Sequence, residues 1–221
     1  LDREITELAN GQDVRTGGTA GGTGNTIQLL REGFAPYSFH VFKQLYDSAG
    51  NPIEGAYADL NDDGVINDDD RYLKEDPAAD LSFGFQSNFN YKNFDLSFNL
   101  RANIGNYVYN NSASDRGNLN AVVNQPGYQA NAHSDYLNSG FQNQNLFSDY
   151  YISRADFIRL DNISLGYTIP FEKITLRTSL TATNLFVITE YDGLDPEISN
   201  GIENNFYPRT RDIVLGLNFT F

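Results

Sequence analysis

The sequence predicts an all-β fold, an antiparallel transmembrane β-barrel segment, and three observations carry that prediction. From Leu81 onward apolar and polar residues alternate with a period of two. The connections between the alternating stretches are tight at one set of ends and long at the other, and Tyr and Phe gather where the stretches end. Alternation with period two marks strands with unlike faces. Short turns below, long loops above and one wholly apolar face is how transmembrane barrels are built. A soluble antiparallel sandwich shares the alternation, so the polar runs on the opposite face, including Arg101 and Arg177, and the apolar end at Phe221 tilt the reading toward a barrel.

The composition narrows the classes further. The 221 residues carry 15 Lys and Arg against 29 Asp and Glu, a net charge of −14 that argues against nucleic acid as a partner. The longest apolar runs are typified by residues 185–188, so no helix spans a membrane and no signal-peptide core is present, which does not bear on a barrel. With no Cys there are no disulfides, thiolate metal sites or thiol nucleophiles.

Taken in order, residues 1–33 are expected to be a Gly-rich polar loop and turn region. The run RTGGTAGGTGNT offers no hydrophobic face, and neither a Gly-Lys-Ser/Thr nor a GxGxxG between strand and helix accompanies it. Residues 34–221 are then barrel strands with long loops at 47–80, 111–153 and 191–208. A strand is expected around residues 37–46. In the next, Leu81, Phe83, Phe85, Phe89 and Tyr91 share a face, and Lys92 and Asn93 turn the chain. Leu96, Phe98, Leu100, Ala102 and Ile104 follow, then Ile163, Leu165, Tyr167 and Ile169. Ile158 and Leu160 are out of phase with that set, which predicts a bulge near Asp161. A turn at 170–173 leads to Ile174, Leu176, Leu180, Ala182 and Phe186, and the last strand presents Ile213, Leu215, Leu217, Phe219 and Phe221. Six strands are too few to close a barrel, so the chain, which begins at Leu1 and contains no Met, is expected to be part of a longer protein.

The loop at 47–80 holds eleven acids against Arg71 and Lys74, which is −9 of the total charge. Within it, DLNDDGVINDDD sets Asp59, Asn61 and Asp63 at positions 1, 3 and 5, Gly64 at 6, the Val65 carbonyl at 7 and Asp70 at 12. That spacing wraps hard oxygen donors around one point, as calcium requires. A structural Ca2+ is therefore expected, the alternative being a solvated Asp/Asn-Gly turn. Asp at position 12, in place of the EF-hand Glu, resembles dockerin-type loops. No catalytic residues are assigned: His40 and His133 have no nucleophile at a recognisable spacing, and no Glu sits in an apolar strand setting, so the protein is read as no enzyme.

Five blocks in order, YADLNDDGVINDDDR, LSFGFQSNFNYKNFDLSFNLRANIGNYVYN, ADFIRLDNISLGYTIP, LTATNLFVITEYDGLDPEIS and YPRTRDIVLGLNFTF, resemble the C-terminal part of SusC/RagA-like TonB-dependent outer-membrane transporters. The resemblance implies part of a 22-stranded barrel in the bacterial outer membrane, importing oligosaccharide or peptide. It further implies a SusD-like lipoprotein partner, energy from TonB through an N-terminal part absent from this chain, and long loops outside the cell. Gly216, Phe219 and Phe221 resemble the assembly signal read by the outer-membrane assembly machinery, with Val214 departing from its polar position. The runner-up reading is a secreted, calcium-stabilised β-sandwich that binds glycans.

Overall fold

The computed structural model describes residues 3–19, 24–123, 131–204 and 207–221. In chain order the strands are β1 (Val14–Gly18), β2 (Thr26–Leu30), β3 (Ser38–Phe42), β4 (Gln44–Tyr46), β5 (Pro52–Tyr57), β6 (Arg71–Lys74), β7 (Leu81–Tyr91), β8 (Phe94–Ile104) and β9 (Tyr107–Asn110). Helices α1 (Asn111–Arg116), α2 (Leu119–Val123) and α3 (Tyr136–Ser139) follow. Strands β10 (Ile152–Arg154), β11 (Phe157–Pro170), β12 (Thr175–Thr189), β13 (Ile202–Glu203) and β14 (Asp212–Thr220) complete the chain. These elements divide into two units. One is Leu1–Ala78, Asn106–Arg154 and Glu197–Phe206; the other is Ala79–Gly105, Ala155–Pro196 and Tyr207–Phe221.

The second unit is one antiparallel sheet in the order β14-β12-β11-β8-β7. Its register aligns the apolar sets of all five strands in transverse rows, such as Phe89, Leu96, Leu165, Leu180 and Leu215. The opposite face aligns Asn88, Ser97, Ser164, Thr181 and Val214. A period-two strand can place every apolar side chain on one face only in this register, because a slip of one residue would invert it. Tyr91 pairs with Phe94 across the two-residue turn, where Lys92 takes φ +54°, and the Phe171 amide donates to the Ile174 carbonyl at the other tight turn. Both turns lie at the same end of the sheet, where the Phe94 and Tyr167 rings meet with centroids 4.5 Å apart. The apolar face is open: Phe85, Leu165 and Leu215 are 58%, 48% and 70% exposed. A soluble sandwich would cover such a face with a second sheet.

The expected bulge is present, as the register of β11 shifts between Leu160 and Asn162 against both neighbours. On β12 the matching irregularity leaves Asn184 with φ +48°.

The first unit holds a four-stranded sheet, β1-β2-β3-β6, the β4-β5 hairpin and a small sheet, β10-β9-β13, in which β13 runs parallel to β9. Its core brings together Ile27, Phe39, Val41, Tyr109, Ala113, Phe141, Tyr151 and Ile202. Buried amide and carboxyl groups tie the hairpin to the 141–149 segment. The Gln44 side chain accepts from Asn145 Nδ2 (2.9 Å) and Ser148 Oγ (2.7 Å), while Asp149 accepts from the Gln44 amide and the Tyr72 hydroxyl.

Three expectations are corrected here. Residues 1–33 are not wholly loop: β1 and β2 pair with each other, and Ile27 and Leu29 are buried, because the short apolar group after the Gly run suffices once β2 pairs with the buried β3. The strand expected at 37–46 is β3 with β4 and belongs to the first unit, so the alternating sheet has five strands, not six; all five residues of β3 are buried, which leaves no alternation to read. The stretches 47–80 and 111–153, expected to be loops, contain β5, β6 and the three helices.

Candidate functional site: a polar sheet face and an acidic loop

Ion pairs bridge strands across the polar face of the five-stranded sheet. Arg177 on β12 forks onto Asp95 on β8, with Nε at 3.1 Å and Nη2 at 2.5 Å. The pair passes over β11 at Gly166, where an added Cβ would strike both the Asp95 carboxylate and the guanidinium. Only glycine leaves that crossing open. Farther along, Arg101 lies directly opposite Arg159, a like-charge juxtaposition that costs stability unless each charge is answered. The bulge residue Asp161 answers Arg101 through a two-pronged contact. Arg159, 2% exposed, donates to Asp195 and Asn184, both at 2.6 Å, and Asp195 also lies 2.9 Å from Arg209. The sequence reading missed Asp195 and Arg159 as partners, since 36 positions separate them and the bulge disguises the face of Arg159.

The residues expected to ligate calcium share one loop. Asp59 Oδ2 accepts from the Gly64 amide (2.7 Å), Asn61 Oδ1 from the Asp63 amide (3.0 Å) and Asp63 Oδ1 from the Val65 amide (2.8 Å). Asp62 and Gly64 take positive φ, which makes the sharp turn. Asp70 is fully buried and accepts from the Leu60 and Asn67 amides (2.8 and 2.9 Å), which hold its carboxyl below the usual carboxylate range. Among the described residues no group of three or more His, Asp and Glu side chains converges as a metal cluster. The donor set is nevertheless wholly hard oxygen on a tight turn, which fits calcium in kind. The loop is tied to the four-stranded sheet by Asp68, which pairs with Arg15 (2.7 Å) and Arg71 (3.0 Å).

His40 lies buried on β3 beside this charge cluster. Desolvation, then the positive charges of Arg71, Arg15 and Arg31, lower its pKa to about 4. The unfolded chain, with an ordinary pKa near ~6.5, takes up a proton that the folded chain refuses. The stability due to neutral His40 is therefore complete above that value and is lost as pH falls toward 4. The protection factors of the β3 amides in the full-length protein, exchange rates corrected for their intrinsic pH dependence, should fall over this interval, and His40→Gln should flatten the dependence. His133 instead accepts the Asp135 amide at 3.1 Å and helps start α3.

Gly216, Phe219 and Phe221 lie at the end of the chain. Gly216 leaves room for the Ser179 hydroxyl, Phe219 points with Leu215 and Leu217 on the apolar face, and Phe221 follows the last strand with 92% of its surface exposed.

The chain is 38% identical to the TonB-dependent receptor SusC of Bacteroides thetaiotaomicron over 99% of its length, which is 23% of that protein. It is 31% identical to the TonB-dependent receptor P26 of Formosa agariphila over 90% of the chain and 24% of that receptor. It thus spans about a quarter of the length of these curated relatives. Among solved structures it superposes on the RagAB peptide transporter with a TM-score of 0.72 at 21% identity, covering 97% of this chain and 25% of that one. The open-open state of the RagAB peptide importer gives 0.69 at 21% identity, over 99% of this chain and 25% of that one. No family model matches the chain.

Proposed function

The chain belongs to the SusC/RagA-like TonB-dependent receptors of the outer membrane, as a C-terminal part of them, and from that premise we propose that it forms a stretch of the wall of a nutrient importer. The observation that carries this reading is the five-strand register, which collects all the apolar rows on one face and the ion-paired polar rows on the other. The apolar face meets lipid, and the polar face lines an aqueous lumen through which oligosaccharide or peptide passes. The tight turns at 92–94 and 170–173 face the periplasm, and the long connections face the exterior, where a SusD-like lipoprotein docks. TonB acts through residues outside this chain. Gly216, Phe219 and Phe221 serve the outer-membrane assembly machinery as its recognition signal. No residue here carries out bond chemistry.

The test is site-directed spin labelling of the full-length receptor in lipid. Labels at Leu180 and Leu215 should be relaxed by oxygen and shielded from a water-soluble nickel chelate, while labels at Ser179 and Thr181 should show the reverse. Uniform exposure to the chelate at all four positions would overturn the membrane-wall reading.

The acidic loop is proposed to take one structural Ca2+ through Asp59, Asn61, Asp63, the Val65 carbonyl and Asp70. Calcium would stiffen a stretch whose carboxylates otherwise repel one another. Calorimetric titration of the full-length receptor should detect a site that Asp59→Ala with Asp63→Ala removes, and the double variant should be cleaved faster by protease within 47–80. Equal calcium affinity in both proteins retires the assignment.

A further inference from the structure

We propose that the step between the two tight turns seats an anionic phospholipid of the periplasmic leaflet, its phosphate met by the Lys92 ammonium and its glycerol region laid against the rings of Tyr91, Phe94 and Tyr167. This rests on the membrane-wall reading and adds to it a lipid preference at one place on the wall.

The first observation is conformational. Lys92 and Asn93 are the central residues of the β7–β8 hairpin, and Lys92 alone of the two takes a positive φ, +54°. A two-residue hairpin with positive φ at its first central position is the kind that calls for Gly there. A side chain at such a position costs stability, and residues kept in that conformation cluster at functional places such as ligand clamps. Glycine would make this turn more easily; what Lys92 adds is an ammonium at the end of the sheet.

The second observation is shape. Strand β8 pairs with β11 as far as Phe94 and Tyr167, and the Asn93 carbonyl then accepts the Thr168 amide at 2.9 Å. Strands β11 and β12 stay paired beyond that point, through Ile169 with Leu176 and Pro170 with Thr175. Their hairpin therefore reaches roughly 10 Å past the β7–β8 turn, at 3.3 Å per residue. The lower turn is the floor of a step and the end of β11 is its wall. Tyr91, Phe94 and Tyr167 follow one another in register on the apolar face of that floor, and Tyr91 is 71% exposed. Tyrosine suits this depth, since its ring is apolar and its hydroxyl can donate to a phosphate oxygen.

The third observation is charge. Among the described residues Lys92 forms no ion pair; its Nζ lies 5.4 Å from the centre of the Tyr91 ring, on the side where lipid would stand. Asp95, the nearest acid along the chain, lies on the polar face and is taken by Arg177. The taller turn carries Glu172 and Lys173, which cancel. In a chain of net charge −14, this end of the sheet thus keeps one unanswered cation beside three rings. An ammonium on a long apolar stem reaches the headgroup layer while its stem stays with the rings.

Lys92→Gly is the decisive variant, because glycine suits the positive φ and deletes the ammonium, so the turn is kept while the lipid contact is lost. Full-length receptor with the photo-crosslinker benzoylphenylalanine in place of Phe94 is reconstituted in vesicles of phosphatidylethanolamine and phosphatidylglycerol mixed in known ratio. After irradiation, the lipid adducts on that residue are identified by mass spectrometry. The expected result is phosphatidylglycerol enriched about fivefold over its share of the bilayer, the factor that one ammonium near an anionic surface supplies. The enrichment should persist in Lys92→Arg and vanish in Lys92→Gly, whose melting temperature should be unchanged or raised. Adducts in the bilayer ratio in the parent, or equal enrichment in Lys92→Gly, overturn the proposal. Displacement of the lipid by inorganic phosphate at constant ionic strength would make this a site for the free anion and overturn it too. Absence of any lipid adduct overturns the membrane-wall reading along with it, whereas adducts in the bilayer ratio leave that reading standing.

Discussion

Replacing Asp195 with leucine is expected to destabilise the five-stranded sheet by about 3–5 kcal/mol, because it takes a carboxylate away from the buried Arg159 guanidinium. Arg159 is 2% exposed and Asp195 is 3% exposed, so water cannot take over the lost contact. Arg209 loses this contact as well, but its half-open position lets solvent compensate. The double change Arg159→Leu with Asp195→Leu should recover most of the loss, since removing both charges removes the desolvation cost along with the attraction. Denaturant unfolding of the full-length receptor, read by its heat-modifiable gel mobility, measures both. A single variant as stable as the parent would mean that Arg159 finds another acceptor.

Leucine 165 is the site of the second large effect. It lies on β11, the middle strand of the five, in the centre of a transverse apolar row. Leu165→Arg should cost about 2–4 kcal/mol in a bilayer, the price of a guanidinium near the hydrocarbon midplane, and should lower the yield of folded receptor in the outer membrane. Ser97→Arg, on the polar face one register step away, should cost far less. Comparable losses at the two positions would contradict the assignment of faces.

The five-stranded sheet was legible in the sequence because a strand between unlike surroundings must alternate, and nothing in β7, β8, β11, β12 or β14 obscures that rule. Even the bulge at Asp161 announced itself through the phase of Ile158 and Leu160. The first unit was opaque for the opposite reason. Strand β3 is buried on both sides, and the core unites Ile27, Phe39, Tyr109, Phe141 and Ile202 from distant segments, so no local period records it. The acidic loop was legible as a spacing of oxygens. That Asp70 is buried on backbone amides, and that Asp68 ties the loop to Arg15 and Arg71, follows from tertiary packing and left no mark on the spacing.

The bulge on β11 has a meaning in the language of insertion and deletion. Leu160 and Ile163 stand three positions apart, yet both pair with residues of the apolar rows on β8, Leu100 and Phe98. Removing Asp161 would therefore restore unbroken alternation and direct pairing with β8, while on β12 Asn184 and Leu185 would be left with no residue opposite them. What disappears is the carboxylate that separates Arg101 from Arg159. Asp161 is in this sense a supernumerary residue, a single-codon addition that supplies a counter-ion to one side of a spanning strand while every residue on the other side keeps its place. A wall of this kind can change the charge of its interior by lengthening a strand by one, without rewriting the surface it shows to the membrane.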